Sequence, residues 1–197
     1  MPRVKSPETE NNILKAAIEC FSQEGFTKTT ISSIAKKAGI SHATVFLYFS
    51  SKEDLFEKAV IGPQHWFYEK QVGLIQSTTG NSLEQLSQMV HLHVDFYMKQ
   101  ADYLRLVQYV FGQKERFRSI VNQIYSYTDQ YIDVLEEVVK KVQEEGMIHN
   151  DQVRLTCWSY FSFLNGISLT FNENVSSEQM NQFKVSAERI LGIGMRT

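Results

Sequence analysis

The amino-acid sequence predicts an all-α protein of about nine helices. Apolar residues recur at intervals of three and four through most of the 197 residues, which is the spacing of one helix face. Capping residues such as Ser, Thr and Asn precede several of these stretches, and glycines follow them. No run of alternating apolar and polar residues is bounded by hairpin turns. We predict a three-helix N-terminal head with a helix-turn-helix, followed by a larger helical body.

Length and charge support this division. We place the boundary after residue 52, giving a DNA-binding domain over 1–52 and a ligand-binding and dimerisation domain over 53–197. The whole chain has a formal charge of −2, but residues 1–50 hold six Lys and Arg against four Glu. The remainder holds 14 basic against 18 acidic residues. A mildly basic head on an acidic body fits a local DNA footprint.

The head begins with a short arm and one amphipathic helix. We predict that residues 1–9 form a flexible arm, and that Arg3 and Lys5 are either solvated or contact DNA phosphates or the minor groove. From Asn11 an apolar stripe follows helical spacing until Gly25, where we expect the helix to end. This helix should close the head over the two helices that follow.

Residues 29–52 carry the pattern of a helix-turn-helix. Thr29 or Thr30 can cap the first helix, because a threonine oxygen accepts from free N–H groups of the opening turn. Gly39 follows the apolar stripe where a left-handed residue would end that helix. Ser41 can cap a second helix from His42 to about Phe49. Small and hydrogen-bonding residues occupy its exposed face, and a helix about 10–12 Å wide fits the DNA major groove.

Several motifs here resemble the N-terminal signature of the tetracycline-repressor (TetR) type regulators, over about residues 10–60. They are Thr29-Thr30, Ile34-Ala35, Ala38-Gly39-Ile40-Ser41, Thr44, Tyr48-Phe49 and Ser51-Lys52-Glu53-x-Leu55. The resemblance implies an all-helical homodimeric repressor that releases its operator when a small molecule binds the C-terminal domain. It also implies that Thr30, Thr44, Tyr48 and Lys52 hold phosphates, and that Ser32, His42, Ala43 and Phe46 lie nearest the bases. Ser41 completes the predicted DNA-binding set.

One position departs from the family pattern. Tyrosine usually stands where this chain has Phe46. A phenylalanine can touch a thymine methyl group or a sugar but cannot donate a hydrogen bond, so one phosphate contact is in question.

The body should begin with a helix that starts near Lys52 and is kinked or broken at Gly62-Pro63, because proline removes a backbone donor and clashes with the preceding turn. Capping residues and glycines then divide the rest of the body into further helices. We predict helices over about 82–100 (opened by Asn81 or Ser82 with Gln85), 102–111 (opened by Asp102), 114–145, 152–171 (opened by Asp151) and 177–192 (opened by Ser176 or Ser177).

The helix over 152–171 has almost no polar side. A helix that is apolar all round must be covered all round, and a second copy of this chain is the simplest cover. Ser162 and Gly166 would allow a partner helix to approach closely. The predicted dimer interface contains Trp158, Ser162, Phe163, Gly166 and Ile167.

Aromatic residues and a methionine in the body helices suggest a pocket for a small effector. Such residues more often form plain core, but buried tyrosines need hydrogen-bond partners. We predict a largely apolar or aromatic ligand that also hydrogen-bonds. The predicted lining is Trp66, Tyr97, Met98, Tyr103, Tyr109, Phe111, Phe117, Tyr125 and Tyr127.

Other functions have little support in the sequence. Cys20 and Cys157 lie in apolar helical stretches and are expected to be buried free thiols. His91 and His93 are two residues apart, on different helix faces, so no metal site is expected. Neither a nucleophile motif nor a phosphate loop is present. We therefore predict a cytoplasmic, ligand-responsive DNA-binding regulator without cofactor, membrane contact or enzymatic activity; the alternative is a helical protein-interaction adaptor without an effector.

Overall fold

The computed structural model describes residues 5–149, 151–171 and 175–194, apart from the side chains of 74–76. Within these residues it contains nine α-helices and no strand, which confirms the all-α prediction. Arg3 of the predicted arm lies outside the described residues. The helices are α1 (Pro7–Lys28), α2 (Ile31–Lys37), α3 (His42–Tyr48), α4 (Lys52–Gln76), α5 (Ser82–Tyr97), α6 (Ala101–Gly112), α7 (Arg118–Glu144), α8 (Val153–Thr170) and α9 (Ser177–Ile190).

The chain divides into two compact units. The first comprises Met1–His65 and Asp102–Ile124, and the second comprises Trp66–Ala101 and Tyr125–Thr197. The first unit therefore holds α1–α3 together with the start of α4, α6 and the start of α7. The functional boundary placed after residue 52 stays a prediction, because compactness alone does not test it.

Helix α1 begins at Pro7, four residues before the predicted start. Proline suits the first turn, where its missing N–H would be unpaired in any case and its φ is already helical. Gly25 leaves helical geometry with φ 73° and ψ 169° before the chain closes a last turn to Lys28. The predicted stop at Gly25 is thus an interruption of the helix, and the interruption needs glycine because of its positive φ.

Helix α4 runs without a break through Pro63, so of the kink or break predicted at Gly62-Pro63 the break is wrong and the kink stays a prediction. Proline forfeits a single backbone hydrogen bond in a helix of 25 residues. Val60 on one side of Pro63 and Phe67 on the other are both buried. Burial of the flanking turns outweighs that one lost bond.

In the second unit α5, α8 and α9 pack against one another. Asn81 caps α5 as predicted, but its reciprocal partner is Glu84, one residue before the predicted Gln85. Gln85 donates instead to the Gly80 carbonyl oxygen at 2.9 Å. Ser176 caps α9 in a capping box with Gln179.

Three further starts differ from the prediction. Helix α6 begins at Ala101, so Asp102 lies in its first turn, where it pairs with Arg105 at 2.6 Å. Helix α7 begins at Arg118, later than the predicted 114. Gln152 occupies the N-cap position of α8 without a side-chain capping bond, so the predicted Asp151 cap is wrong. None of the described helices is long and apolar enough to cross a membrane.

Candidate DNA-binding interface

Local side-chain bonds build the helix-turn-helix as its sequence predicts. Thr30 accepts from the Ser33 N–H at 3.0 Å, and the Ser33 hydroxyl accepts from the Thr30 N–H at 3.1 Å, which forms a capping box for α2. Gly39 has φ 67° and turns the chain. Ser41 caps α3 by accepting from the Thr44 N–H at 3.1 Å.

The inner faces of these short helices are closed into an apolar core. Ile34 and Val45 are fully buried and Phe49 is 1% exposed. Phe21 of α1 is fully buried in the same unit. Because this core fixes the position of α3, its remaining side chains are presented outward in one orientation.

Most of the predicted DNA-binding residues are exposed. Thr44, Tyr48 and Lys52 are half-buried. The ring centres of His42 and Phe46 lie 5.0 Å apart, and the two rings form one aromatic surface on α3. The exposed members are Thr30, Ser32, Ser41, His42, Ala43 and Phe46.

The electrostatics of this stretch favour a polyanion. No acidic residue occurs between Glu24 and Glu53, whereas four lysines do: Lys28, Lys36, Lys37 and Lys52. Lys37 is paired with Glu19 at 2.6 Å, which raises the pKa of the lysine through that hydrogen bond. DNA phosphates approaching α2 and α3 would therefore meet lysines and hydroxyl groups without an intervening carboxylate in this stretch.

Tyr48 is tied to the start of the chain. Its hydroxyl oxygen accepts the Ser6 N–H at 2.9 Å, and the Lys5 ammonium lies 5.9 Å from the centre of its ring. The phenolic proton is left for an acceptor such as a phosphate oxygen. Lys5 is thereby placed beside α3, and whether it is solvated or contacts DNA stays a prediction.

A surface groove of about 430 Å³ runs between this N-terminal segment and α3. Sequence reasoning missed Leu47, which is 50% exposed beside Phe46, at 46%. Its position three residues after Thr44 on a short exposed helix was the available signal. The groove is lined by Lys5, Ser6, Thr9, Gly39, Ile40, Ser41, Thr44, Leu47 and Tyr48.

The predicted pocket residues have different surroundings. Inside the first unit, Tyr109 and Phe117 pack on the aromatic rings of Phe26 and Phe56, and the Tyr103 hydroxyl donates to the Val60 carbonyl at 2.9 Å. Phe111, also in the first unit, is half-buried.

Inside the second unit, Tyr97 is fully buried, and Met98 and Tyr127 are half-buried. Trp66 and Tyr125 are about half exposed. Four of the nine predicted lining residues lie in the first unit and five in the second, and the pocket set as a whole stays a prediction.

The predicted dimer residues lie on one helix, α8. Ser162 and Gly166 are exposed, and Trp158 and Phe163 are half-buried. Ile167 is buried within the chain. A Cβ atom added to Gly166 would meet nothing within 4 Å, so the single chain leaves room over this position.

No group of three His, Cys, Asp or Glu residues in the described part of the chain could hold a metal ion.

Comparison with known proteins gives two family matches. Residues 13–59 match the model for bacterial regulatory proteins of the tetR family, and residues 79–174 match a tetracyclin repressor-like C-terminal domain. The chain is 25% identical over 174 residues to a fatty acid metabolism regulator protein of Bacillus subtilis, covering 87% of this chain and 84% of that protein.

Solved structures share the fold. The ketosteroid transcriptional regulator of Mycobacterium tuberculosis has a TM-score of 0.75 at 19% identity, over 95% of each chain. The transcriptional regulator FadR from Bacillus subtilis, solved with stearoyl-CoA, has a TM-score of 0.66 at 22% identity, over 94% of this chain and 99% of that one.

Proposed function

Since this chain belongs to the TetR family of transcriptional regulators, we propose that it is a ligand-responsive repressor. It binds a pseudo-palindromic operator as a homodimer through the helix-turn-helix at about residues 30–49. A small, largely apolar or aromatic effector bound in the C-terminal domain releases it. The observation that carries the DNA-binding part is the rigidly capped, outward-facing α3 in a stretch without any acidic residue.

The proposed DNA contacts are of two kinds, to phosphates and to base edges. Thr30, Thr44, Tyr48 and Lys52 hold phosphates, which position the protein but carry no sequence information. His42 and Ala43 face the base edges, because the first residues of a recognition helix usually reach them. The family resemblance supports placing Ser32 and Phe46 at the same surface. Phe46 contributes an apolar surface suited to a thymine methyl group.

Three similar proteins support an apolar effector. One is named for fatty acid metabolism and another was solved with stearoyl-CoA, while a third is a ketosteroid regulator. Fatty acyl chains and steroids are both largely apolar. We infer an effector of similar polarity for this chain, whose second unit buries several aromatic side chains.

The test measures binding to duplexes from the DNA flanking the chain's own gene, against scrambled duplexes of equal length. His42→Ala should weaken operator binding by roughly 1–3 kcal/mol and spare random DNA, because it removes a base contact. His149→Ala, at an exposed position in the second unit, is the matched control and should change neither.

Two outcomes would contradict this proposal. If His42→Ala weakened both duplexes equally, the assignment of His42 to the bases would be wrong. If no flanking duplex bound better than random DNA, operator recognition itself would fail.

A further inference from the structure

A cluster of polar side chains lies in the core of the second unit. Gln71 of α4, His93 and Tyr97 of α5, Tyr131 of α7 and Tyr160 of α8 are each at most 2% exposed. Burying polar groups is unfavourable unless every donor finds an acceptor. Each hydroxyl proton of the cluster therefore needs an acceptor among the neighbouring groups.

Two tyrosine hydroxyls compete for one histidine nitrogen. His93 Nδ1 lies 3.1 Å from the Tyr160 hydroxyl and 3.3 Å from the Tyr131 hydroxyl. His93 Nε2 lies 3.5 Å from the Gln71 carbonyl oxygen, which can only accept. The Tyr97 hydroxyl donates separately to Gln71 Oε1 at 3.2 Å. Among the described side chains, neither Tyr131 nor Tyr160 has another hydrogen-bond partner.

The two phenolic protons of Tyr131 and Tyr160 outnumber the acceptors within hydrogen-bond distance of them. Burial lowers the pKa of His93 to about 4, so the ring is neutral at pH 7 and one ring nitrogen carries hydrogen. With that hydrogen on Nε2, facing the carbonyl, Nδ1 has a single lone pair for two phenolic protons. With it on Nδ1, neither phenolic proton has an acceptor. In both tautomers at least one buried hydroxyl proton is unpaired.

We propose that this surplus donor binds the effector: one of the two hydroxyls, of Tyr131 or Tyr160, donates to a neutral carbonyl oxygen on a largely apolar molecule, while the other keeps its hydrogen bond to His93 Nδ1. This inference rests on the proposed function, since it specifies which chemistry the effector presents. A ketone, ester, thioester or amide oxygen can accept this bond without bringing a charge into the core. His93 Nδ1 holds the second hydroxyl in place by accepting its proton.

The surroundings favour a neutral acceptor over a carboxylate. No Lys or Arg is buried among the described residues, so an anion placed here would lack a cation. Aromatic rings border the cluster: Phe67 lies 5.0 Å from Tyr97 and Phe161 lies 5.9 Å from Tyr131. These rings suit the apolar body of a ligand.

A first experiment tests the surplus proton without any ligand. Tyr131→Phe and Tyr160→Phe should each leave the melting temperature unchanged or raised, because the remaining tyrosine keeps the His93 acceptor. The double variant should lose about 2–4 °C, since Nδ1 then has no donor. Tyr97→Phe is the matched control and should lose a similar amount, because Gln71 Oε1 loses its donor. If Tyr131→Phe and Tyr160→Phe each lowered the melting temperature as much as Tyr97→Phe does, the proposal would be overturned.

A second experiment tests the ligand by calorimetric titration with two ketones and their acceptor-free analogues. Decan-2-one is paired with 1-decene, and benzophenone with diphenylmethane. At least one ketone should bind more tightly than its analogue, and Tyr131→Phe or Tyr160→Phe should weaken it roughly 2- to 10-fold. Tyr68→Phe, at a half-buried position outside the cluster, should leave ketone binding unchanged.

The outcomes separate this inference from the proposed function. If neither ketone binds, or if the tyrosine variants bind as wild type does, the proposal is wrong. Operator affinity of the same preparations is measured without ketone. A protein that binds its operator but no ketone refutes only the effector chemistry, whereas one that binds no operator refutes the proposed repressor.

Discussion

At the scale of single residues, Lys52 serves the fold as well as the proposed interface. Its ammonium group lies 3.4 Å from the Thr27 carbonyl oxygen at the end of α1 and 4.5 Å from the centre of the Phe26 ring. An ammonium group has three donors, so a phosphate contact does not require these contacts to break. The side chain is thereby held in position before DNA arrives.

Lys52→Ala should weaken operator and random DNA alike, because a phosphate contact carries charge and no sequence. For two symmetric lysines, the slope of log K against log salt should fall by about 2 units, at roughly 0.9 per phosphate. Binding titrations at several salt concentrations measure this slope. Lys70→Ala, an exposed lysine in the second unit, should leave the slope unchanged; an unchanged slope for Lys52→Ala would remove its phosphate role.

His93 should make the protein sensitive to acid. Burial holds its folded pKa at about 4, below the ordinary 6.5, so the unfolded chain takes up this proton first as pH falls. The contribution of neutral His93 to the free energy of unfolding is fully present above pH 6.5. It is lost between pH 6.5 and about 4, by roughly 1.4 kcal/mol per pH unit. Urea unfolding across this window should show a steeper loss for wild type than for His93→Gln. Equal slopes would contradict the neutral buried histidine.

At the scale of elements, the interruption of α1 depends on a glycine that fits beneath a tyrosine. A Cβ atom on Gly25 would lie 2.7 Å from the Tyr109 ring, and the Tyr109 hydroxyl accepts the Phe26 N–H at 2.9 Å. Arg116 adds a bond to the Thr27 hydroxyl at 3.2 Å. The end of α1 is thus fixed by residues far away in sequence.

Gly25→Ala should destabilise the protein by more than the roughly 1–2 kcal/mol expected of an L residue at positive φ, because the added methyl also meets Tyr109. Gly62→Ala is the matched control. It lies inside α4 with nothing within 4 Å of the added atom, and should be neutral or stabilising by up to about 1 kcal/mol. Chemical denaturation compares the two. Equal effects would mean that the interruption at Gly25 contributes nothing.

At the scale of the whole molecule, one face of α8 remains uncovered in the single chain. Leu155 is 60% exposed, and Ser162 and Gly166 follow on the same helix with open space at Gly166. An exposed leucine beside small residues is what a partner helix would cover. We therefore expect the two copies of a homodimer to meet through α8 and α9.

Gly166→Glu and Phe163→Glu should each yield monomer, because a buried unpaired carboxylate at an interface is strongly unfavourable. Sedimentation velocity at micromolar concentration measures the change. Gln130→Glu, exposed on α7, adds the same charge elsewhere and should remain dimeric. A monomeric wild type would rule out the predicted interface.

The sequence alone predicted several features that depend on neighbouring residues. The caps Thr30, Asn81 and Ser176, and the positive φ of Gly39, each follow from bonds or sterics within a few positions. The helix-turn-helix and its exposed face were predictable for this reason, and so was the family.

Tertiary packing decided what depends on distant residues. Pro63 stays inside α4 because burial on both sides outweighs one lost hydrogen bond. Tyr109, predicted as pocket lining, packs over Gly25, 84 residues earlier in the chain, and His93 meets Tyr131 and Tyr160 from two other helices. Helical periodicity shows which face of each helix is buried, but it does not show which partner each buried side chain meets, because the packing of the helices against one another sets that.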